Sequence, residues 1–226
     1  VDFNGCSLTA HASSFTGAYV VYVENPQGKV DTFSMKNVFI DCNGNGSINY
    51  GLYVKGSQDA RYSSIQVVDA ASHGFLIQGE IGFGIYYNVF DTCKAGQSTK
   101  GNGGDGFRIS GVSARYANGN TFLNCASQYN AAGGFRVLSG AVVDNVRISG
   151  GRHNGTTNGD FTQDGIMYDS NSVGDVTVWN TDLKIRNLTL GGTGANIVSA
   201  DATSLRFGDT LNPNVTDTYD LGTNGL

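Results

Sequence analysis

The chain has 226 residues, a formal net charge of −5 and 14 Lys plus Arg scattered singly, which excludes the basic cluster that a phosphate backbone needs. Thirty-three Gly, 22 Asn and 17 Asp supply turn formers, whereas 2 Glu and 6 Lys leave little material for surface helices. No apolar run reaches the roughly 18 residues of a membrane-spanning helix, and residues 1–30 lack a charged segment followed by an apolar block, so neither a membrane span nor a signal peptide is expected.

Val1-Asp-Phe-Asn-Gly5 opens directly in an alternating strand without a methionine, as a fragment or a processed product would. From residue 37 two strand signals recur in tandem. The upstream ones begin at Asn37, Ser64, Asn88, Asn120, Asn145 and Asp175. The downstream ones are led by glycine: Gly51-Leu-Tyr-Val, Gly74-Phe-Leu-Ile, Gly106-Phe-Arg-Ile, Gly134-Phe-Arg-Val, Gly165-Ile-Met-Tyr and, more weakly, Gly194-Ala-Asn-Ile. Five intervals between residues 37 and 175 give a mean period of about 28 residues, within the range of stacked repeats. This predicts an all-β fold, a parallel β-helix (solenoid) of about six to seven rungs over residues 1–195, with an irregular β-rich extension over 196–226.

Period-2 alternation sends Leu52, Phe75, Phe107, Phe135 and Ile166 into one interior column and Val54, Ile77, Ile109, Val137 and Tyr168 into its neighbour. On the upstream strands Val38, Ile40, Ile65 and Val67 point in, which leaves Phe39, Gln66, Phe90, Phe122, Arg147 and Thr177 outside. Phe39, Phe90 and Phe122 would then form an exposed apolar stripe suited to a homotrimer interface. The alternative is that the register slips at Asp91 and turns Phe90 inward. Asn37, Asn88, Asn120 and Asn145 are expected at turns, where Asn tolerates left-handed backbone and stacked Asn side chains can bond from rung to rung. Cys42, Cys93 and Cys125 each lie five residues after such an Asn, which predicts equivalent interior positions and free buried thiols. Their spacing is not a metal signature, and no metal or cofactor is expected.

The residues just before the repeat glycines are Tyr50, His73, Asp105, Gly133, Asp164 and Thr193. In this alignment Asp105 and Asp164 are two rungs apart, about 9.6 Å at ~4.8 Å per rung, at the upper end of the separation of an inverting pair of glycosidase carboxylates. His73, Asp105 and Asp164 are therefore the candidate catalytic residues. Asp160, His153 and Arg152 of the adjoining long loop are candidate glycan contacts. Asp-Gly is equally a favoured turn dipeptide, so a purely structural column stays open. Trp179 falls at an outward position of its strand, where a sugar ring or a neighbouring subunit could stack on it.

After about residue 196 the repeat fades, and Asn212-Pro-Asn-Val-Thr-Asp-Thr-Tyr219-Asp220-Leu221-Gly222 follows. This segment resembles the strand, Pro turn and Tyr-Asp-Leu-Gly motif of tailed-bacteriophage tailspikes and tail fibres, and it follows a solenoid as it does in that family. The resemblance implies a right-handed, single-stranded β-helix in a trimeric virion tail appendage. Such an appendage is assembled in the host cytoplasm, is extracellular when mature, contacts other tail proteins and attaches to a host-surface polysaccharide. It implies, as an alternative function, a depolymerase (hydrolase or lyase) acting on capsule or O-antigen through carboxylates on the solenoid side. Neither nucleic acid nor membrane insertion enters this reading.

Overall fold

The computed structural model describes residues 1–11, 14–24, 33–79, 84–111 and 116–137, and beyond these the strand residues 142–144, 146–149, 152–153, 166–168, 175–179, 182–183 and 196–201. Every regular element among the described residues is a β-strand, and the strands stack in parallel in three sheets of twelve, six and three strands. The chain is a parallel β-solenoid. The largest sheet opens with Asp2–Thr9, Ser34–Asp41 and Arg61–Val68. Its next levels split in two, Val89–Asp91 with Lys94–Ala95 and Thr121–Leu123 with Ala126–Ser127. The six-stranded sheet stacks Tyr19–Glu24, Tyr50–Lys55, His73–Gly79, Phe107–Gly111, Phe135–Val137 and Ile166–Tyr168, with Tyr19–Glu24 at its edge.

The glycine-led strands take the register that their alternation predicts. Leu52 pairs with Phe75, Phe75 with Phe107, Phe107 with Phe135 and Phe135 with Ile166, while Val54, Ile77, Ile109, Val137 and Tyr168 follow one another in the next column. Phe75, Phe107 and Phe135 are completely buried, and the Phe75 and Phe107 rings stack at 4.5 Å. The repeat glycine itself answers a close approach between the walls of the coil. A Cβ on Gly106 would lie 1.9 Å from Ser127 Oγ and 2.7 Å from the Gly134 carbonyl oxygen, so no larger residue fits that corner.

On the largest sheet the expected alternation fails at one place in each level. Asn37, Ser64, Thr92 and Asn124 all have positive φ, between 49° and 59°, and the strand pairing puts them at equivalent positions. A single left-handed residue turns the chain and shifts the inward phase by one position. Met35 and Val38 are consequently both buried on either side of Asn37, as are Tyr62 and Ile65, Phe90 and Cys93, and Phe122 and Cys125. The outward stripe is thus corrected: Phe90 and Phe122 are fully buried, in a column with Met35 and Tyr62, and only Phe39 of the three keeps partial exposure.

The same kink corrects the alignment of the Asn and Cys residues. Asn37 is a left-handed residue, whereas Asn88 and Asn120 occupy the interior corner level with Ala60. There the Asn88 amide group donates to Asn120 Oδ1 at 3.0 Å, the Asn120 amide group donates to the Ile85 carbonyl at 3.2 Å, and the Ala60 N–H donates to Asn88 Oδ1 at 3.0 Å. A second ladder at the opposite corner joins Asn102 to Asn130 Oδ1 at 2.7 Å and the Ala70 N–H to Asn102 Oδ1 at 3.0 Å. Each ladder supplies partners to backbone groups where the coil turns. Cys93 and Cys125 stack in register with Ile65, while Cys42 lies four residues further along its own level. All four cysteines are free; Cys42, Cys93 and Cys125 are buried and Cys6 is exposed.

Toward the C-terminus the large sheet continues through Val146–Ser149 and Asp175–Trp179 to Asn196–Asp201, the first six residues of the expected β-rich extension. Asn145 and the Tyr-Asp-Leu-Gly segment lie outside the described residues.

Candidate functional site

Two columns of residues meet on the outside of the six-stranded sheet. The first runs Tyr19, Tyr50, His73, Asp105, Gly133, continuing the alignment read from the sequence: Tyr19 pairs with Tyr50, Tyr50 with His73, and the Phe75–Phe107–Phe135 register places Asp105 and Gly133 next. The second runs Tyr22, Tyr53, Leu76, Arg108, Arg136, each directly paired with the next. The second column alternates with the buried positions, and the first lies just before the repeat glycine, whose inward-facing position, with a Cβ on Gly51 meeting Val67 at 2.0 Å, shifts the phase so that the preceding residue faces out.

At one end the face is aromatic. Tyr19 and Tyr22 stack at 4.6 Å, Tyr22 and Tyr53 lie at 5.2 Å, and Tyr50 and Tyr53 at 5.7 Å, all four residues being half-buried. The ring of Tyr50 then stacks on the imidazole of His73 at 5.9 Å with the planes 15° apart. Burial and the neighbouring Glu24 push the Tyr22 hydroxyl above its ordinary pKa. Lys55 is paired with Glu24 at 3.2 Å, which leaves this end without net charge, and the Tyr53 hydroxyl donates to Gln78 Oε1 at 3.2 Å.

At the other end the face is charged. The carboxylate of Asp105 is fully buried, with Arg136 Nε 3.1 Å from Oδ1 and Arg108 Nη1 3.6 Å from Oδ2. Arg136, Arg108 and a backbone hydrogen bond from Gly133 compensate its burial. Burial pushes the Asp105 pKa up, and Arg136 and then Arg108 oppose the shift. His73 is 7% exposed; burial, with Arg108 and Arg136 close by, holds its pKa down at about 3, so the ring is neutral at pH 7.

The two nitrogens of that neutral ring both face donors. The Asp105 amide nitrogen lies 2.9 Å from Nδ1, and the Asp105 carboxylate is 3.5 Å from the same atom. Arg108 Nη1 lies 2.6 Å from Nε2. A guanidinium has no lone pair, so Arg108 donates in that contact and Nε2 accepts.

Of the three candidate catalytic residues, His73 and Asp105 are brought together, with Asp105 sealed and ion-paired, while Asp164 lies outside the described residues, as does Asp160. Arg152 and His153, expected in a loop, form a short strand of the largest sheet level with Ala126 and Ser127. Trp179 belongs to the same large sheet, at the register position of Ser149 and Leu123. Neither element is on the sheet that carries His73. The residues that reading the sequence missed are Tyr19, Tyr22, Tyr53, Arg108 and Arg136. Their signal was the position between the two buried residues of each glycine-led strand, occupied in order by Tyr53, Leu76, Arg108 and Arg136. Among the described residues no group of three or more His, Cys, Asp and Glu is arranged to hold a metal ion.

No protein-family model, no curated protein and no solved structure matches the chain.

Proposed function

We propose that this solenoid is a glycan-attachment module of a bacteriophage tail spike or tail fibre. The observation that carries the reading is the run of four mutually packed tyrosines, Tyr19, Tyr22, Tyr50 and Tyr53, on the outer face of a parallel sheet. Aromatic rings kept outside a core present flat apolar faces edged by hydroxyls, and both the C–H faces and the hydroxyls of a saccharide find partners there. The parallel solenoid and the resemblance of residues 212–222 to the tailspike segment support the virion setting. The homotrimer rests on that resemblance alone, since Phe90 and Phe122 are core residues.

The test is binding of the purified chain to capsule or O-antigen polysaccharide from candidate hosts. Tyr22→Ser with Tyr53→Ser should reduce retention at least tenfold while leaving the fold intact. Retention unchanged in the double variant would overturn this face as the attachment site. The depolymerase reading is decided in the same incubation by the length of the polysaccharide chains, which cleavage shortens and attachment does not.

A further inference from the structure

The three-stranded sheet, of Ile85–Tyr86, Tyr116–Asn118 and Val142–Asp144, meets the largest sheet at a corner that carries two aromatic rings outside the core. Gln58 bridges to Tyr86 and Tyr86 pairs with Asn118, which sets Asp59, Tyr87 and Gly119 at equivalent positions of successive levels. All three have positive φ, at 51°, 55° and 69°. Asp and Gly enter that region readily, whereas a bulky tyrosine enters it at a cost. Core packing does not offset the cost: Tyr87 is 57% exposed and, with Val1, is one of two large apolar side chains left exposed among the described residues. The rings are nevertheless held in place. A Cβ on Gly119 would collide with the Tyr87 ring and one on Gly84 with the Tyr86 ring, so each ring lies over a glycine. Their centroids are 6.4 Å apart and their planes 38° from parallel. One level away, the exposed Asp59 carboxylate accepts from the Gln58 side-chain amide at 3.3 Å.

We propose that Tyr86 and Tyr87 form a second saccharide contact, on a wall of the coil other than the one that carries Tyr19, Tyr22, Tyr50 and Tyr53. The proposal rests on the glycan-attachment reading and adds the chemistry of this contact: a neutral sugar unit, its C–H face on the Tyr87 ring and its hydroxyls toward Asp59 and Gln58. A carboxylate beside the ring accepts from hydroxyls and repels a uronate, so charge selects the neutral unit. Strain kept on an exposed side chain points to a residue retained for what it touches, since removing it would stabilise the fold.

The test uses the full chain on immobilised O-antigen and capsule polysaccharides, sorted into preparations with and without uronic acids. Tyr87→Asn should lower retention on the neutral preparations about fivefold and at the same time raise the urea midpoint, because Asn accepts the left-handed geometry. Tyr87→Phe, which keeps the ring, should leave both near the parent values. A loss of binding together with a gain of stability does not come from unfolding. Retention unchanged in Tyr87→Asn but lost in the Tyr22→Ser, Tyr53→Ser variant would overturn this contact and leave the attachment face standing. Retention unchanged in both variants, or absent for the parent chain, would overturn both readings. A larger loss on the uronate-containing preparations would overturn the neutral class. A lower urea midpoint for Tyr87→Asn, or a changed mass by mass photometry, would assign the ring to packing or to a protein partner and overturn the proposal as well.

Discussion

Phe90 and Phe122 lie ring over ring inside the solenoid, their centroids 4.8 Å apart and their planes 7° from parallel. Tyr62 extends the stack at 4.7 Å from Phe90, and Phe122 meets Phe135 of the facing sheet edge to face at 4.6 Å. The contact joins the two walls of the coil. Phe122→Ala should therefore cost about 3–5 kcal/mol, read as a lower urea midpoint. Phe90→Asp should leave no folded protein, because the carboxylate would have no partner in that column. A well-folded Phe90→Asp variant with altered association would instead return the ring to the surface.

The kink column yields a prediction of opposite sign. Thr92 has a φ of 54°, a region that β-branched residues rarely enter, whereas Asn37 and Asn124 hold the equivalent positions with a residue that tolerates it. The Thr92 hydroxyl donates to Asp91 at 3.0 Å near the surface, a bond worth little in water. Thr92→Asn should thus stabilise the chain by about 0.5–1 kcal/mol, and Asn124→Thr should destabilise it by a similar amount. A lower denaturation midpoint for Thr92→Asn would contradict the left-handed geometry.

These two columns also explain what the sequence revealed and what it hid. The glycine-led strands were legible because no residue of 52–55, 75–79 or 107–110 has positive φ, so period 2 holds from the residue after the glycine onward. The upstream strands were not, since Ser64 and Thr92 carry no signal that they turn left-handed. Aligning Asn37 with Asn88 then placed that repeat four residues out of step, and Phe90 and Phe122 fell on the wrong face. The column of Tyr50, His73 and Asp105 was legible because it abuts the repeat glycines. Tyr19 and Tyr22 were hidden because their strand has Val20 where the next level has Gly51.

The Asn ladders should be expensive to interrupt. Asn120 Oδ1 accepts from both the backbone and the side-chain nitrogen of Asn88, and its own amide group donates to Ile85. Asn120→Leu fills the same volume but leaves these buried groups without partners, at about 1–3 kcal/mol. The loss should appear as faster amide exchange at Asn88, whose N–H gives up its acceptor. Unchanged protection there would mean that the ladder does not hold this corner.

His73 sets an acid limit on the fold. Its folded-state pKa of about 3 lies below the ordinary 6.5, so between those values the unfolded chain takes up a proton that the folded chain refuses. Stability from this residue is complete above about pH 6.5 and drains away as the pH falls toward 3, on the order of a few kcal/mol. Asp105 has the opposite slope: its raised pKa makes the folded state hold a proton that the unfolded chain has released, so its contribution falls as the pH rises above the ordinary 3.8. The wider window belongs to His73. The urea midpoint should therefore drop between about pH 6.5 and pH 4, and His73→Gln, though less stable at pH 7 for want of the Tyr50 stack, should show a flatter profile over that range. An imidazole resonance of His73 that titrates near 6.5, or equal slopes for the two proteins, would show that the ring is solvated and the cluster around Asp105 open.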